Sequence, residues 1–394
     1  MPKLSIRDLD LQGKRLFIRV DFNVPIEDGR ISDAARIEAA LPTIRLALEK
    51  NAKVILASHL GRPKGTPEKE YSLKPVADRL SSLLDRQVYF VNDCIGPTVD
   101  DRVKAMDSGH VVLLENLRFH AGETKNDPEF ARELAALAQE YVNDAFGTAH
   151  RAHASTVGVP QVLGGGAAGL LMEKELEYLA RVLFQPEAPV VAILGGAKVS
   201  DKMDVIENFL RLANSILLGG GMAFTFFKAQ GINVGRSLVE EDKLGVAREL
   251  IRRSEAKGIE LKLPVDVVAA PRMEQDVETR EVAPSEIPEE WMGLDIGSKT
   301  TKEYKKIISK AKTVIWNGPM GVFEIKEFSR GTTEIARAVA DSEALSVVGG
   351  GDSAAAVRKA QVAEKISHIS TGGGASLEFL AGKTLPGVEI LTKH

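Results

Sequence analysis

The sequence predicts an α/β fold in which parallel sheets are covered by helices on both faces. Short apolar segments rich in β-branched residues alternate with longer segments whose apolar residues recur at helical spacing, which is typical of strand–helix–strand units. The strand segments, such as Val190–Leu194, are apolar almost throughout, which indicates strands buried on both faces. A chain of 394 residues exceeds one hydrophobic core, so we expect about two or three domains.

Each element is predicted from its own run of residues, taken in chain order. Apolar runs predict strands at Leu16–Val20, Val54–Ala57, Val88–Val91, Val111–Leu114, Tyr141–Val142, Val190–Leu194, Ser215–Leu218, Val265–Ala269, Val314–Trp316, Ser346–Val348 and His368–Ser370. Amphipathic patterns predict helices at Ala35–Lys50, Leu73–Leu84, Glu129–Gln139, Lys243–Lys257, Thr301–Lys310, Thr333–Ala340 and Ala354–Lys365. Open parallel sheets bind ligands at the carboxyl ends of their strands, so the residues that follow each strand are the candidate site residues.

Composition excludes several classes of partner. The net charge of −4 and the pI near 6.1 argue against binding to nucleic acid or to an anionic membrane surface. No apolar run reaches the roughly 18 residues of a membrane span, and the first residues show no apolar segment typical of a signal peptide. The single cysteine, Cys94, fits a reducing compartment, and we interpret it as a small buried side chain rather than a nucleophile. We therefore expect a cytoplasmic protein with no nucleic-acid or membrane partner.

Basic and polar residues follow the strands of the first half. They are Asp21, Asn23, His59, Arg62, Arg118, His120, His150, Arg151 and His153. Arg36 falls on the first turn of the following helix, for which Ser32 or Asp33 is the predicted cap. Arginine forks suit a small ligand that carries phosphate and carboxylate groups. Each residue also has a structural interpretation, because a single arginine is often a surface ion pair, and Asp21 and Asn23 could simply fix their loop.

Glycine replaces arginine at the strand ends of the second half. The segment from Pro189 to Leu210 runs from a strand through Gly195 and Gly196 into a helix that is predicted to begin at Val205. Such a turn leaves backbone N–H groups free at the start of the helix, where they favour an anion. Lys198 and Lys202 are four residues apart in the same turn, which indicates a polyphosphate site, although the GxxxxGK[ST] pattern is not matched. Alternatively, these glycines only allow tight packing and the lysines are solvated.

The segment GGGDS supports two interpretations. Gly349, Gly351 and Ala354 match the loose G-x-G-x-x-A pattern of a dinucleotide-binding fold, but no acidic residue ends the next predicted strand. Asp352 is better placed to hold Mg²⁺, which takes one or two carboxylates together with substrate phosphate oxygens. The structural alternative for Asp352 is the N-cap of the helix Ala354–Lys365. A nicotinamide dehydrogenase and a non-catalytic two-domain anion-binding protein therefore remain as alternatives at this point.

The junction between domains is predicted between Ala152 and Pro189. The segment STVGVPQVLGGGAAG is irregular and rich in glycine, and the helical pattern of Leu170–Gln185 follows it. A helix that leads from one sheet to the next is a plausible hinge. The pattern of the last twenty or so residues does not decide on which domain they pack.

Long motifs run in order through the whole chain. They are RVDFNVP, SHLGRPKG, ENLRF, NDAFGTAHRAHAST, GGAKVSDK, PVDVV, WNGPMGVFE, GGGDS and STGGGAS. Together they resemble the phosphoglycerate kinase family in its bacterial form. The resemblance implies a two-lobed, Rossmann-like kinase of glycolysis with a six-stranded parallel sheet in each lobe. Its reaction is the reversible, Mg²⁺-dependent transfer of a phosphoryl group between 1,3-bisphosphoglycerate and ADP, giving 3-phosphoglycerate and ATP, by direct in-line transfer after hinge closure.

The resemblance also implies domain limits. The phosphoglycerate-binding domain would comprise residues 1–170 with a returning C-terminal segment, 375–394. The nucleotide-binding domain would comprise 171–374 and begin with the hinge helix, 171–185. We expect a monomer whose partners are these substrates alone.

Site residues follow from the resemblance position by position. Those implied to bind phosphoglycerate are Asp21, Asn23, Arg36, His59, Arg62, Arg118 and Arg151. Those implied to bind the nucleotide are Lys202, Gly293, Glu324, Gly350, Gly351, Asp352 and Ser353, with Asp352 on the metal. The groups implied around the moving phosphoryl group are Arg36, Lys198, Gly351 and Gly373. Two departures are small: Ser298 stands where proline is expected in DIGPKT, and GGGAAG replaces a less glycine-rich stretch before the hinge helix.

Overall fold

The computed structural model describes residues 3–393. The chain divides into two compact units, one comprising Met1–Glu177 with Thr384–His394 and the other Tyr178–Lys383. Met1, Pro2 and His394, which the predicted first domain includes, lie outside the described residues. None of the helices in residues 3–393 combines the length and the apolar character that crossing a membrane needs.

The first unit alternates strands and helices. Its strands are β1 (Arg15–Arg19), β2 (Ile26–Glu27), β3 (Arg30–Ile31), β4 (Lys53–Ala57), β5 (Val88–Val91), β6 (Val111–Leu114), β7 (Glu140–Asn143) and β8 (Ala167–Ala168). Its helices are α1 (Ala35–Glu49), α2 (Lys74–Leu84), α3 (Pro97–Lys104), α4 (Ala121–Thr124), α5 (Pro128–Ala136), α6 (Val159–Val162) and α7 (Leu170–Phe184), the last of which contains the division between the units. Short 3₁₀ turns follow β4 and β6 at Lys69–Tyr71 and Leu117–Phe119, and a π-helical turn spans Ala154–Gly158.

Six strands form the parallel sheet of the first unit, in the order β5-β6-β4-β1-β7-β8. Buried apolar side chains of β1, β4, β6 and α1 fill its core, as the near-continuous apolar runs predicted. In the register of the sheet, Arg19 at the end of β1 lies opposite Ala57 on β4 and Asn143 on β7. The segments that follow these three strands therefore leave the sheet at one edge.

The last residues of the chain complete the first unit. Helix α15 (Pro386–Glu389) lies in this segment, and the Gly387 N–H donates to the Ala149 carbonyl at 2.8 Å. The Thr392 N–H donates to the Gly166 carbonyl at 2.9 Å, and the Leu4 N–H donates to the Thr392 carbonyl at 2.9 Å. Leu4 and Thr392, near the two limits of the described residues, thus belong to the same unit.

The second unit repeats the pattern and adds a smaller sheet. Its strands are β9 (Val190–Leu194), β10 (Ser215–Leu218), β11 (Glu260–Lys262), β12 (Val267–Ala270), β13 (Arg280–Val282), β14 (Met292–Ile296), β15 (Thr313–Asn317), β16 (Leu345–Gly349) and β17 (His368–Ile369). Its helices are α8 (Met203–Phe209), α9 (Met222–Ala229), α10 (Leu244–Ala256), α11 (Ser298–Ile308), α12 (Arg330–Asp341), α13 (Gly351–Lys359) and α14 (Gly374–Leu380).

The parallel sheet of the second unit has the order β11-β10-β9-β15-β16-β17. Asn317 at the end of β15 lies opposite Leu194 on β9 and Gly349 on β16, so the segments after these strands also leave the sheet at one edge. Two parallel six-stranded sheets with helices between their strands confirm the predicted α/β class and the six-stranded sheets that the resemblance implied.

One predicted strand belongs to a different sheet. The run Val265–Ala269 corresponds to β12, which pairs antiparallel with β13 and β14 in a separate three-stranded sheet. The edge strand of the parallel sheet is instead β11, whose sequence is ELK. An apolar run does not reveal its partner, and a short edge strand with charged ends lacks the apolar pattern of a buried strand.

Helix starts also differ from prediction in two places. Helix α1 has Ala34 rather than Ser32 or Asp33 as its N-cap, although the Asp33 carboxylate still accepts the Ala35 N–H at 2.8 Å. Helix α13 begins at Gly351 rather than Ala354, because Gly350 at φ +92° provides the turn that leads into it.

Candidate functional site

At the carboxyl edge of the first sheet, the loop after β1 is joined to α1 and to the segment after β4. Arg36 Nη1 donates to Asp21 Oδ2 at 2.9 Å, and the Asn23 N–H donates to Asp21 Oδ1 at 3.1 Å. Asn23 Oδ1 in turn accepts the Gly61 N–H at 2.8 Å. Asp21 and Asn23 fix their loop, which agrees with their structural interpretation. The same contacts place Arg36 beside the segment that carries His59 and Arg62.

Arg118 reaches the same segment from the 3₁₀ turn after β6. Asn116 caps that turn by accepting the Arg118 N–H at 3.0 Å, and Arg118 Nη1 donates to the Gly61 carbonyl at 2.7 Å. Only 9% of the Arg118 surface is exposed, and its Nε atom has no hydrogen-bond partner among residues 3–393. Burial, together with the charges of Arg19 and Arg151, lowers the pKa of Arg118 to about 10. This arginine therefore has an unused buried donor in an electropositive place, which favours an anion.

Two histidines of this edge are held in the neutral form. Burial lowers the pKa of His59 well below its ordinary value, and the charges of Arg19, Arg118, Arg36 and the nearby His153 lower it further. Burial and the charges of Arg19, Arg118 and Arg151 lower the pKa of His153 to about 4. Burial, reinforced by the neighbouring arginines, thus keeps both imidazoles of this edge neutral at neutral pH.

The remaining predicted arginines are exposed. Arg62 makes no hydrogen bond or ion pair within residues 3–393, and Arg151 Nε lies 3.1 Å from His150 Nε2. Asp21, Asn23, Arg36 and Arg118 are linked through the loop contacts above, and His59 lies two residues before Gly61, which Asn23 and Arg118 both contact. Arg151 joins them electrostatically, through its effect on the pKa values of Arg118 and His153. Arg62 follows in the same loop, three residues after His59.

Sequence reasoning missed the support beneath this cluster. Arg19 is fully buried, its Nε donates to Ser155 Oγ at 2.8 Å, and its Nη2 lies 3.2 Å from His59 Nδ1. Ser155 Oγ donates to the buried Glu123 carboxylate at 2.6 Å. Arg19 could have been found in the sequence, because it is a charged residue at the end of an otherwise apolar strand. Glu123 and Ser155 belong to no sequence pattern that indicates a buried role.

Near this edge, His120 and Cys94 take structural roles. His120 Nε2 lies 2.7 Å from Asp93 Oδ1, and its ring stacks on Phe130. Cys94 is buried, and burial raises the pKa of its thiol well above the ordinary value. This agrees with the interpretation of Cys94 as a small buried side chain.

At the carboxyl edge of the second sheet, Asn317 connects residues from three segments. Its Oδ1 accepts a hydrogen bond from Lys202 Nζ, and a Cβ atom on Gly350 would lie 3.2 Å from its Nδ2. The neighbouring Gly318 N–H donates to Ser353 Oγ at 2.6 Å. Lys202 is 8% exposed, and burial lowers its pKa although the carboxylates of Asp201 and Asp352 raise it. Lys202, Gly350, Asp352 and Ser353 are therefore assembled around one strand end.

The glycine turn after β9 is not the free amide cradle that the sequence predicted. The Gly195 N–H donates to the Asn317 carbonyl at 3.0 Å, and the Gly196 N–H donates to the Pro319 carbonyl at 3.0 Å. A Cβ atom on Gly195 would lie 2.0 Å from the Pro319 oxygen. Tight packing of backbone on backbone, the structural alternative, therefore explains this glycine. Helix α8 starts at Met203, close to the predicted Val205, and Lys202 is buried directly before it.

Lys198 differs from Lys202. It is exposed, and within residues 3–393 it makes no hydrogen bond or ion pair. The two lysines therefore have different environments, which the four-residue spacing did not reveal. Lys202 is a fixed buried cation, whereas Lys198 is a cation that no group in the described part of the chain neutralises.

The segment GGGDS forms the first turn of α13. Asp352 is exposed on the second residue of the helix and is not its N-cap, so the structural alternative for this aspartate is wrong. A Cβ atom on Gly351 would meet nothing within 4 Å, which leaves the backbone there open. Asp352 offers one exposed carboxylate beside the buried Lys202, a donor set that fits Mg²⁺ bound mainly through phosphate oxygens.

Three further implied residues are placed without direct contact to Asn317. Gly293 on β14 donates its N–H to Ser237 Oγ at 2.9 Å and faces the ring of Phe224, where a Cβ would lie 2.1 Å away. Glu324 is exposed in the segment after β15. Gly373, at φ +50°, precedes α14 in the segment after β17. No hydrogen bond links these residues to Lys202 or Asp352 in residues 3–393.

Known proteins resemble the chain over its full length. The family model described as phosphoglycerate kinase matches residues 6–383. A protein named phosphoglycerate kinase from Moorella thermoacetica is 57% identical over 393 residues, covering 100% of both chains. Another of that name from Thermosipho africanus is 56% identical, covering 98% of this chain and 97% of its own.

Solved structures agree with this result. The structure of phosphoglycerate kinase from Coxiella burnetii matches with a TM-score of 0.90 and 44% identity, covering 99% of this chain and 98% of the other. The structure of phosphoglycerate kinase from Pyrococcus horikoshii matches with a TM-score of 0.86 and 37% identity, with 98% of each chain covered. The chain belongs to the phosphoglycerate kinase family.

Proposed function

We propose that this chain catalyses the reversible transfer of a phosphoryl group between 1,3-bisphosphoglycerate and ADP, giving 3-phosphoglycerate and ATP. Membership in the family makes the chain a kinase of glycolysis. The contrast between the two sheet edges supports the substrates that we propose. The first edge is cationic, whereas the second consists of glycine-rich backbone with a buried lysine and an exposed carboxylate. Such a division suits one ligand with phosphate and carboxylate groups and a second ligand that is a nucleotide.

The phosphoglycerate binds at the first edge in this proposal. Its ligands are Asp21, Asn23, Arg36, His59, Arg62, Arg118 and Arg151. Arg62 and Arg151 are exposed, and Arg118 has an unpartnered buried Nε, so these arginines have donors available for a ligand. The Asp21 carboxylate is already paired with Arg36, so its part is to orient that arginine and to accept a hydroxyl donor of the ligand.

The nucleotide binds at the second edge. Its ligands are Lys202, Gly293, Glu324, Gly350, Gly351, Asp352 and Ser353. The open backbone at Gly351, on the first residue of the nine-residue helix α13, supports contact with a phosphate. Lys202 is already desolvated, so its interaction with a phosphate oxygen costs little further loss of hydration.

Mg²⁺ accompanies the nucleotide, with Asp352 as its protein ligand. The exposed carboxylate of Asp352 fits an ion that takes one or two carboxylates and completes its shell with phosphate oxygens and water. When bound, the ion neutralises charge on the phosphate oxygens.

The chain needs no general base for this chemistry. In the direction that consumes ATP the nucleophile is a carboxylate, which is ionised at neutral pH. What remains is to position the two substrates and to stabilise charge on the oxygens of the moving group. We assign that stabilisation to Arg36, Lys198 and the amides near Gly351 and Gly373. Lys198 suits this part because no carboxylate within residues 3–393 neutralises it.

Direct in-line transfer requires the two substrates to meet, so a closing motion precedes the chemical step in this proposal. The proposed domains are residues 1–170 with 375–394 for phosphoglycerate and 171–374 for the nucleotide, and the hinge helix is 171–185. Closure also excludes water, which would otherwise hydrolyse the acyl phosphate. We propose a cytoplasmic monomer.

A coupled assay tests the reaction. The protein is supplied with 3-phosphoglycerate and Mg·ATP, and the 1,3-bisphosphoglycerate formed is followed through a dehydrogenase that consumes NADH. We expect turnover that EDTA abolishes and that excess Mg²⁺ restores. Turnover that survives EDTA would contradict the metal requirement. Folded protein that binds both substrates without turnover would contradict the kinase proposal in favour of anion binding alone, and binding of NADH by the protein itself would favour a dehydrogenase.

A further inference from the structure

A chain of buried hydrogen bonds lies beneath His59, and it starts at Glu123. This carboxylate is fully buried, and both of its oxygens accept from Ser155, one from the hydroxyl at 2.6 Å and the other from the backbone N–H at 3.0 Å. A carboxylate that accepts from two donors has no proton to give. The hydroxyl proton of Ser155 therefore points to Glu123.

The next link fixes Arg19. With its proton committed to Glu123, Ser155 Oγ has lone pairs left, and it accepts from Arg19 Nε at 2.8 Å. Arg19 Nη1 donates to the Val20 carbonyl. The guanidinium is fully buried, so these two bonds determine its orientation and direct its remaining nitrogen, Nη2, to within 3.2 Å of His59 Nδ1.

The last link determines the proton on His59. A guanidinium has donors only and does not lose a proton in proteins, so His59 Nδ1 must be the acceptor of this contact. We infer that Arg19 is a positioning residue that fixes His59 as the neutral imidazole with its proton on Nε2, so that the ring offers one N–H donor to an anionic ligand. The Nδ1–H form would place two donors against each other at this distance.

The surroundings of His59 agree with a neutral ring. Burial disfavours a charge on His59, and the charges of Arg19, Arg118 and Arg36 oppose a further positive charge. The remaining titratable neighbour, His153, is itself neutral at neutral pH. The cluster therefore gains a hydrogen bond to the ligand without additional repulsion among its cations. If phosphoglycerate is the ligand, as in the proposed function on which this consequence rests, His59 donates to one of its phosphate or carboxylate oxygens.

Nitrogen NMR of the histidine rings tests the tautomer without any measurement of turnover. The protein is labelled with ¹⁵N, and the His59 resonances are assigned by their loss in His59→Gln. We expect a pyridine-like Nδ1 and a pyrrole-like Nε2 that stay unchanged between about pH 6 and 8. A protonated Nδ1, or a ring that titrates in this range, would overturn the inference even if the coupled assay succeeds.

Variants along the chain test the cause. In Arg19→Met the ring loses its donor partner and the adjacent charge, so we expect the two tautomers to mix and the pKa of His59 to rise. Ser155→Ala is the milder variant in case Arg19→Met does not fold, because it keeps the guanidinium and its bond to the Val20 carbonyl and removes one of the two groups that orient it, together with the hydroxyl bond to Glu123. Arg15→Met is the matched control, since Arg15 lies on the same strand and its Nε donates to the Leu137 carbonyl. A His59 spectrum that stays the same in both Arg19→Met and Ser155→Ala would assign the tautomer to another cause and overturn the role of Arg19.

Amide substitutions test the donor at Nε2. The side-chain nitrogen of glutamine takes the place of Nε2, whereas that of asparagine falls near Nδ1. We expect both variants to raise the KM for 3-phosphoglycerate, His59→Asn by about tenfold or more and His59→Gln by several-fold less, with the KM for ATP unchanged in both. Equal KM values for the two variants would show that no donor at Nε2 contributes. A protein without turnover would contradict the proposed function and leave the NMR result to decide on the tautomer.

Discussion

The two sheet edges differ in how much of each candidate site consists of side chains and how much consists of backbone. At the first edge the candidate site consists of side chains, Arg36, His59 and Arg118, which buried partners such as Arg19 orient. At the second edge the buried Lys202 and the exposed Asp352 stand beside glycine-rich backbone, part of which is packed so closely that a Cβ on Gly195 would lie 2.0 Å from the Pro319 oxygen. The difference teaches that substitution at the first edge probes binding, whereas substitution of a packed glycine at the second edge probes the fold.

Lys198 is an exposed side chain of the second edge, and its removal should have the largest effect. Lys198→Ala should lower kcat by about 10²–10³, because an unneutralised donor that acts mainly on the transition state is lost. The KM for ATP should change little. Steady-state kinetics with Lys228→Ala, an exposed lysine of α9, as the control decides this. Unchanged turnover would remove Lys198 from the mechanism.

A pair of glycine variants sharpens the contrast within the second edge. Gly195→Ala should destabilise the protein by about 1–3 kcal/mol, because the added methyl group meets backbone. Gly351→Ala should leave stability unchanged or raise it by up to about 1 kcal/mol, because nothing lies within 4 Å of the new atom. Urea unfolding followed by the fluorescence of Trp291 and Trp316, which both lie in the second unit, measures both stabilities. Equal stabilities of the two variants would contradict the packing argument.

Acid should weaken the first unit through His153. The folded-state pKa of about 4 lies below the value of about 6.5 expected for unfolded chains. The unfolded chain therefore binds more protons between these values, and stability falls as the pH drops from about 6.5 to 4. His153→Gln should remove about 2 kcal/mol of that loss at the acid end.

The effect of His153→Gln on the first unit can be distinguished from unfolding of the second unit by using two spectroscopic signals. Both tryptophans, Trp291 and Trp316, lie in the second unit, so their fluorescence follows that unit while circular dichroism follows the whole chain. The effect of His153→Gln should appear in urea unfolding followed by dichroism. His110→Gln, on a half-buried histidine of the first unit, serves as the control. Wild-type pH dependence in His153→Gln would refute the assignment.

Arg62 should give the smallest effect and the cleanest test of the division between ligands. Arg62→Ala should raise the KM for 3-phosphoglycerate by about tenfold, since one exposed charged contact is lost, and leave the KM for ATP unchanged. Arg86→Ala is the control, because Arg86 is an arginine outside the proposed site that donates to the Gly109 carbonyl. An effect confined to ATP would contradict the assignment of the two edges.

Much of this could be predicted because apolar runs and strand ends carry a local signal. Val190–Leu194 is a buried strand as predicted, and the basic residues after β1, β4 and β6 do converge. The failures concern features that depend on distant partners. The run Val265–Ala269 did not reveal that its partners are antiparallel, and β8, a two-residue strand beside glycines, has too few residues to show a pattern.

The sequence also did not predict the burial and the hydrogen-bond partners of individual groups. The spacing of Lys198 and Lys202 did not indicate that one is exposed and the other buried. The glycines after β9 predicted free amides, whereas carbonyls of Asn317 and Pro319 satisfy them. Burial and hydrogen-bond partners are properties of the packed chain, and the local pattern contains neither. Ser298 illustrates the same limit: its hydroxyl donates to Glu281 Oε2 at 2.5 Å, so the serine gains a partner that a proline would lack.

The return of the chain end to the first unit has a consequence for biosynthesis. The segment that begins at Thr384 is made after the second unit, and the contacts of Gly387 and Thr392 with Ala149 and Gly166 form only when these residues have left the ribosome. The second unit, Tyr178–Lys383, is continuous in sequence and is fully synthesised before them. The unit that is translated first is therefore completed only after the second unit has been made, and a chain that stops before Thr384 would keep the second unit while leaving the first unfinished.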